Sequence, residues 1–352
     1  MRLGVIAESI IERLMLKFNA VPEPLLETQI AFSMTRSIMV GVKLRLFEAA
    51  DDGGRSAAEI AKICATNPGA TEKLLNALTG CAFLKFRNGA YLLTPKAEKW
   101  LLRRSPQNLC DKLLFQFYEW DMVEGYEASV RTGKPMAGHQ GMQDDDFWNM
   151  YQRGMRSVAG LAAREIADRF PMPPGARDML DLGGSHGYFS VSLCRKHPDL
   201  KSVILDLPDA VRQAAPILAE EKMGVRVTHR PGNALTEELG EGSVDIVFMS
   251  QLVHHFTDEQ NRALMKKIAC ALRPRGVCVM SDSIRPRKAG DGGQTGAVLD
   301  LYRKGRRHSG QRHRADQESE PGGSGESCRN PRGAPQPALS VGRRTAFDSQ
   351  SR

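Results

Sequence analysis

No apolar run of eighteen residues occurs anywhere in the 352-residue chain, so no segment of it can cross a bilayer as a helix. The opening stretch, Met1 to Val21, has neither an unbroken apolar core nor a small-residue cleavage site. Ile6, Ile10, Leu14 and Phe18 recur there at helical spacing, but Glu8, Glu12 and Arg13 interrupt them, so a secretory leader is excluded and a cytoplasmic protein is expected. Cysteine is scarce: Cys64, Cys81, Cys110, Cys194, Cys270, Cys278 and Cys328 are odd in number, and no pair has CxxC spacing. Neither a disulfide framework nor a metal site is therefore expected; reduced, buried thiols are. The body of the chain also lacks the basic excess of a nucleic-acid binder. Net charge is +8, but residues 303–352 hold eleven Lys+Arg against five Asp+Glu, which leaves the remainder at only +2.

What is present begins with a helical section. Ile38, Val42, Leu44 and Phe47 mark an apolar helix and its exit. Ser56-Ala57-Ala58-Glu59 is a capping box that opens a helix through Cys64, and Leu74, Leu75 and Leu78 line a second helix that stops near Gly80. Asn88-Gly89 then separates two apolar runs, Phe83 to Phe86 and Ala90 to Leu93, a strong hairpin signal. Helix, helix, hairpin is the order of a winged helix. A DNA-binding role is disfavoured, because the second helix offers only Lys73 as a cation where a recognition helix needs several. Residues 105–170 read as helical and carry two aromatic and methionine groups: Phe115, Phe117, Tyr118, Trp120 and Met122, then Phe147, Trp148, Met150, Tyr151 and Met155. Helix core is the plain reading; the wall of a pocket for a flat apolar substrate is the functional one, with Trp120, Phe147, Trp148 and Met155 as its candidates.

From Arg177 the pattern changes to short apolar runs alternating with helical segments. The runs are 179–182, 202–206, 225–227, 244–249 and 277–280, with helices such as Tyr188 to His197 and Asn261 to Leu272 between them. Such alternation predicts a parallel sheet with right-handed crossovers. Past Tyr302 the pattern ends. Only eight of the last fifty residues belong to the AVILMFWYC set, too few to offset the entropy of ordering, so a disordered tail is expected. A break this abrupt is what a shift of coding frame after Tyr302 would leave; a clean in-frame read of the gene would end that idea.

The chemistry centres on Asp181-Leu-Gly-Gly-Ser-His-Gly187, which follows a strand and opens a helix. Its glycines let the backbone turn sharply and approach a ligand. Asp206 ends the next strand, 19 residues after Gly187, where a carboxylate accepts hydrogen bonds from ribose hydroxyls. That pair suits NAD or the adenosyl part of S-adenosylmethionine. The spacing D-x-G-G-x-x-G, and an acidic residue at Asp181, favour the cationic sulfonium over a diphosphate. His254, just past the fourth strand, is placed to act as a base: a phenol has a pKa of about 10 and needs help to lose its proton near neutrality. His255 is expected to point elsewhere, and His186 to lie on the surface.

Asp181 to Pro286 resembles the small-molecule O-methyltransferases of the plant caffeate type and their bacterial relatives. The resemblance rests on four motifs in order: the glycine turn, Leu205-Asp206-Leu207-Pro208, Gly232-Asn233-Ala234-Leu235, and Leu252-Val-His-His-Phe-Thr-Asp-Glu259, followed by Leu272-Arg-Pro-Arg-Gly276 before a strand. It covers roughly residues 30 to 302. It implies S-adenosylmethionine as cofactor, a hydroxylated small molecule as substrate, and a homodimer formed through the winged helix. By position, Gly183 would contact the methionine part of the cofactor, with Asp181 and Gly187 in the same loop. Asp206 and Leu207 would hold the ribose, and Asn233 and Ala234 would flank the adenine. Ser250 stands where many relatives have a lysine, His254 matches the catalytic base, and Asp282 matches a Glu that orients it. Asn233 departs from the family's Asp, and His255 from another.

The expected architecture is thus α/β: a winged-helix-like dimerisation domain (1–104), helices toward a substrate pocket (105–170), a Rossmann-like domain (171–302) lacking the family's last strands, and a basic tail (303–352). Two further readings stay open at this point. One is a dimeric relative inactivated by its altered C-terminus, and the other a winged-helix DNA-binding regulator.

Overall fold

A computed structural model describes residues 6–133, 145–282 and 338–341. The chain forms two compact units, one of residues 1–132 with 139–161, the other of 133–138 with 162–352. The section 105–170 is therefore shared, and the division falls inside one helix, Asp145–Arg169.

In the first unit, local sequence rules set most boundaries. Ser56 and Glu59 complete the capping box of the helix Ala57–Ile63. Asn67 caps, and Pro68 starts, the helix Pro68–Gly80. Strands β1 (Leu84–Arg87) and β2 (Ala90–Leu93) form the expected hairpin. Its turn residues Asn88 and Gly89 both have positive φ (52° and 79°), the primed turn whose twist matches that of the strands. Thr94 then caps the helix Pro95–Leu101. Phe47, Ile60, Leu75, Leu78, Leu84 and Tyr91 are enclosed between these elements, and the Tyr91 hydroxyl donates to Asn76 Oδ1 at 2.8 Å. Ahead of this core, the helix Ile10–Lys17 leaves Ile10, Ile11, Leu14 and Phe18 exposed.

In the second unit, β3 (Asp178–Leu182), β4 (Lys201–Asp206), β5 (Val227–Pro231), β6 (Val244–Ser250) and β7 (Leu272–Ser281) pair in parallel. A further strand, β8 (Ala338–Val341), lies parallel beside β7. The order across the sheet is β5-β4-β3-β6-β7-β8, that of a doubly wound fold. Side chains alternate between faces. Leu180, Leu182, Leu205, Val247 and Met249 pack with Leu264, Ile268 and Ala271 of the helix Asp258–Ala271. Met179, Ile204, Val227, Ile246 and Phe248 face Val191, Leu193 and Cys194 of the helix Tyr188–Lys196.

Four expectations need correction. The third strand begins at Val227 and not Val225: Gly224–Arg226 form a 3₁₀ turn with Val225 83% exposed, and the Arg226 guanidinium donates to the carbonyls of Cys194, His197 and Leu200. Strand β7 pairs from Leu272, opposite Val244, and resumes at Val277 opposite Ile246, so Arg273–Gly276 make a bulge. The tail, expected to be disordered throughout, supplies β8. Ala338-Leu-Ser-Val is its most apolar stretch, and an uncovered strand edge offers that stretch backbone partners. Finally, Cys64, Cys81, Cys110, Cys194 and Cys278 are free thiols, but Cys270, part-exposed near the end of the helix Asp258–Ala271, is disulfide-bonded. The proposed frame change after Tyr302 lies outside the described residues.

Candidate active site

A doubly wound sheet binds ligands at the carboxyl ends of its strands, where neighbouring connections diverge. Here β3 and β6 flank that point, and the candidate residues gather at it. Beyond β3, the Gly183 N–H donates to the Leu205 carbonyl at 2.8 Å, which ties the turn to β4. Gly187 has φ +73°, and a Cβ on it would stand 2.5 Å from Ile204 Cδ1. A Cβ on Gly184 would stand 2.5 Å from the Asp181 carboxyl. The turn is thus packed from beneath so closely that only glycine fits at these positions, and its outer backbone stays free to meet a ligand.

Asp181 lies on the β3 face turned toward the helix Tyr188–Lys196 and is 1% exposed. Its Oδ2 accepts from Ser190 Oγ at 2.6 Å, and Ser190 Oγ is 2.8 Å from Ser202 Oγ. Its Oδ1 has no hydrogen-bond partner among the described residues. Burial pushes this carboxyl up to about 7; the Ser190 hydroxyl opposes that rise, and the charge of Asp206 adds to it.

Asp206, at the end of β4, accepts the Ser185 N–H through Oδ2 and the Leu207 N–H through Oδ1, both at 2.8 Å. Burial raises it above the ordinary carboxylate range, against those two backbone donors and the nearby His229. Each oxygen keeps a lone pair for a further donor. The carbonyl of Ser185 is held in turn by His229 Nε2 at 2.8 Å. After β5, Gly232 N–H donates to the Asp206 carbonyl, and exposed Asn233 accepts the Leu235 N–H through Oδ1. Ala234 is buried, and Lys267 Nζ donates to its carbonyl at 3.0 Å. Leu207 is 51% exposed beside the turn.

Ser250 ends β6. The 3₁₀ turn Val253–His255 then presents His254, whose Nδ1 lies 2.7 Å from Asp282 Oδ1 at the end of β7. The Asp282 side chain is 8% exposed and that of His254 28%. A carboxylate can only accept, so Nδ1 carries the proton and Nε2 is left with its lone pair. The His255 ring does not point elsewhere: the two ring centroids are 4.2 Å apart, since one tight turn carries both. His186 is also not a surface group. It is 6% exposed, and its Nδ1 accepts the Tyr188 N–H at the start of the helix. No cluster of three metal-ligating side chains occurs among the described residues.

The aromatic candidates belong to the first unit. Phe147 is 0% exposed, packed by Phe115, Tyr118, Trp148 and Tyr151 at centroid distances of 5.3–6.5 Å. It is a packing residue and not a pocket wall, because four rings enclose it. Trp148, Met155 and Trp120 are half-buried, and the Arg36 guanidinium lies 5.1 Å from the Trp120 ring centroid.

Glycine turn, strand-end carboxylate and histidine–carboxylate pair thus gather at the carboxyl ends of one doubly wound α/β sheet. Residues 126–320 match the O-methyltransferase domain, past the point at Tyr302 where the sequence resemblance ended, and residues 26–103 match the O-methyltransferase dimerisation domain. The chain belongs to the S-adenosylmethionine-dependent O-methyltransferase family. It is 27% identical over 272 residues to the 3-hydroxy-5-methyl-1-naphthoate 3-O-methyltransferase of Streptomyces sahachiroi, covering 74% of this chain and 77% of that one. It is 26% identical over 275 residues to the acetylserotonin O-methyltransferase of Mus musculus (72% and 70% covered). Human N-acetylserotonin methyltransferase in complex with SAM shares the fold, with a TM-score of 0.69 at 17% identity, covering 85% of this chain and 87% of that one. No helix among the described residues is long and apolar enough to cross a membrane.

The residues fit S-adenosylmethionine. Asp206 retains acceptor capacity for ribose hydroxyls, and the close packing under Gly184 and Gly187 holds the turn beside it. Sequence reading missed His229, Ser190 and Ser202. Nothing in local spacing signals them, because each acts across strands.

Proposed function

We propose that this enzyme methylates the hydroxyl of an aromatic or polyketide-like small molecule, with His254 as general base and Asp282 as the group that orients it. The 2.7 Å contact between His254 Nδ1 and Asp282 carries this reading. It selects the tautomer whose Nε2 accepts a proton, at the strand ends where a substrate would lie. When bound, S-adenosylmethionine supplies a methyl group on a sulfonium that is already a good leaving group. Asp206 and Leu207 hold the ribose, Asn233 and Ala234 flank the adenine, and Gly183, Gly187 and Ser250 complete the surround; Asp181, expected in that surround, is instead buried beneath the turn against Ser190 and supports it from within. His254 Nε2 takes the hydroxyl proton as the oxygen becomes a nucleophile, and buried Asp282 stabilises the imidazolium that results. Alignment of the two reactants supplies much of the rate. The names of the relatives support an aromatic acceptor.

A homodimer is part of the proposal. The match of residues 26–103 and the exposed Ile10, Ile11, Leu14 and Phe18 support a second copy of the chain as partner. The test is transfer of a labelled methyl group from S-adenosylmethionine to a hydroxynaphthoate, with loss of transfer in His254→Ala. Protein that binds S-adenosylhomocysteine yet methylates no phenolic acceptor overturns the reading and leaves a binding-only relative.

A further inference from the structure

Ser185 is the least comfortable residue of the glycine turn. Its φ is +50°, in the left-handed region that residues with a Cβ avoid. Such a conformation persists only where surrounding contacts hold it. Two contacts do so, from adjacent strands. The Ser185 N–H donates to Asp206 Oδ2 on β4, and the Ser185 carbonyl lies 2.8 Å from His229 Nε2 on β5. A carbonyl only accepts, so Nε2 carries the proton. His229 pairs in register with Ile204, and register partners share a face of the sheet. Ile204 is the residue against which Gly187 closes. His229 therefore stands beneath the same turn, and grips it from the side opposite to the strands that carry His254 and Asp282.

We infer that His229 is a positioning residue for cofactor binding: by holding the Ser185 carbonyl it keeps the turn in its left-handed shape and keeps Asp206 aimed for the ribose. The inference rests on reading the glycine turn as the cofactor site. Without this donor the Ser185 peptide relaxes, the backbone facing the nucleoside shifts, and one of the two bonds that fix the Asp206 carboxylate loosens. Proton removal by His254 is untouched. The signature is thus a weaker cofactor affinity at unchanged turnover under saturation, which a loss of general fold integrity does not produce.

The experiment compares full-length wild type, His229→Leu and His229→Gln by calorimetric titration with S-adenosylhomocysteine, by KM for S-adenosylmethionine and kcat, and by ligand-free thermal unfolding. Losing one hydrogen bond of ordinary strength predicts a Kd and KM about tenfold higher in His229→Leu, with kcat within about twofold. Glutamine places its Nε2 donor the same number of bonds from the backbone, so His229→Gln recovers most of the affinity. Should the leucine variant not fold, His229→Asn replaces it, since its amide falls one bond short and it must bind more weakly than His229→Gln. Wild-type affinity in the leucine variant overturns the inference, as does a glutamine variant no better than leucine or asparagine, or a fall in kcat at constant KM. Wild-type protein that ignores S-adenosylhomocysteine overturns the cofactor site itself, and the inference with it.

Discussion

Removing the imidazole of His254 tests the proposed chemistry most directly. In the structure this ring is fixed by one 2.7 Å bond from Nδ1 to a carboxylate that is only 8% exposed, and it keeps Nε2 for a substrate proton. A positioned general base contributes about 10²–10⁴-fold, so His254→Ala should lower kcat by that factor, roughly 2.7–5.5 kcal/mol in the barrier. Asp282→Asn keeps an acceptor oxygen but loses the charge. A hydrogen bond to a charged group is worth about 1.5–3 kcal/mol, so kcat should fall by about 10–100-fold. Neither residue touches the glycine turn, so both variants should bind S-adenosylhomocysteine as the wild type does. The assay is initial-rate release of S-adenosylhomocysteine at saturating substrates across pH 6 to 10. The deficit of His254→Ala should shrink with rising pH, because a phenol with a pKa of about 10 begins to ionise unaided. A His254→Ala enzyme within about threefold of wild type near neutrality, or a deficit independent of pH, refutes the general-base reasoning.

Further predictions concern the turn and its supports. Gly184→Ala places a Cβ 2.5 Å from the Asp181 carboxyl in a closed interior, so chemical denaturation should show a loss of about 1–3 kcal/mol. Burial raises the Asp181 carboxyl from the 3.8 of a free side chain to about 7, so between those pH values the native state holds a proton that the unfolded state has lost. Stability contributed by this group is therefore full below the unfolded value and declines as pH rises toward 7, by at most about 1.4 kcal/mol per pH unit. Asp181→Asn should remove that slope from stability measured by denaturation between pH 4 and 7; an unchanged slope assigns it to other groups. Asp206→Asn should weaken S-adenosylhomocysteine binding by about 10–100-fold in calorimetry, the worth of a charged acceptor to hydroxyl donors.

Much of the fold is written in contacts between residues close in the chain. The Ser56–Glu59 box and the Asn88-Gly89 turn satisfy their own backbone within four residues, and each stands where sequence reasoning placed it; the Asn67 cap with Pro68 behind it is equally local, although the sequence reading marked only the end of that helix near Gly80. The apolar runs of β3, β4 and β6 are equally plain, since a strand covered on both faces needs an unbroken series of apolar side chains. The site was legible where motif order carried it: His254 and Asp282, 28 residues apart, do meet. It was illegible where a side chain turns inward. His186 looked like a surface group but is buried and accepts the Tyr188 N–H where a helix begins, and Phe147 looked like a pocket wall but fills an aromatic core.

The sequence by itself determined the alternation of strands and helices, the glycine turn and the family, because periodicity, capping and turn chemistry act over a few residues. Only the tertiary structure decided which strand lies beside which. That order sets His229 under Ser185, 44 residues away, buries Asp181 against Ser190 and Ser202, and brings Ala338–Val341 to the edge of β7. Such pairings follow from strand order and register, and these are properties of the assembled sheet that no local stretch of chain carries.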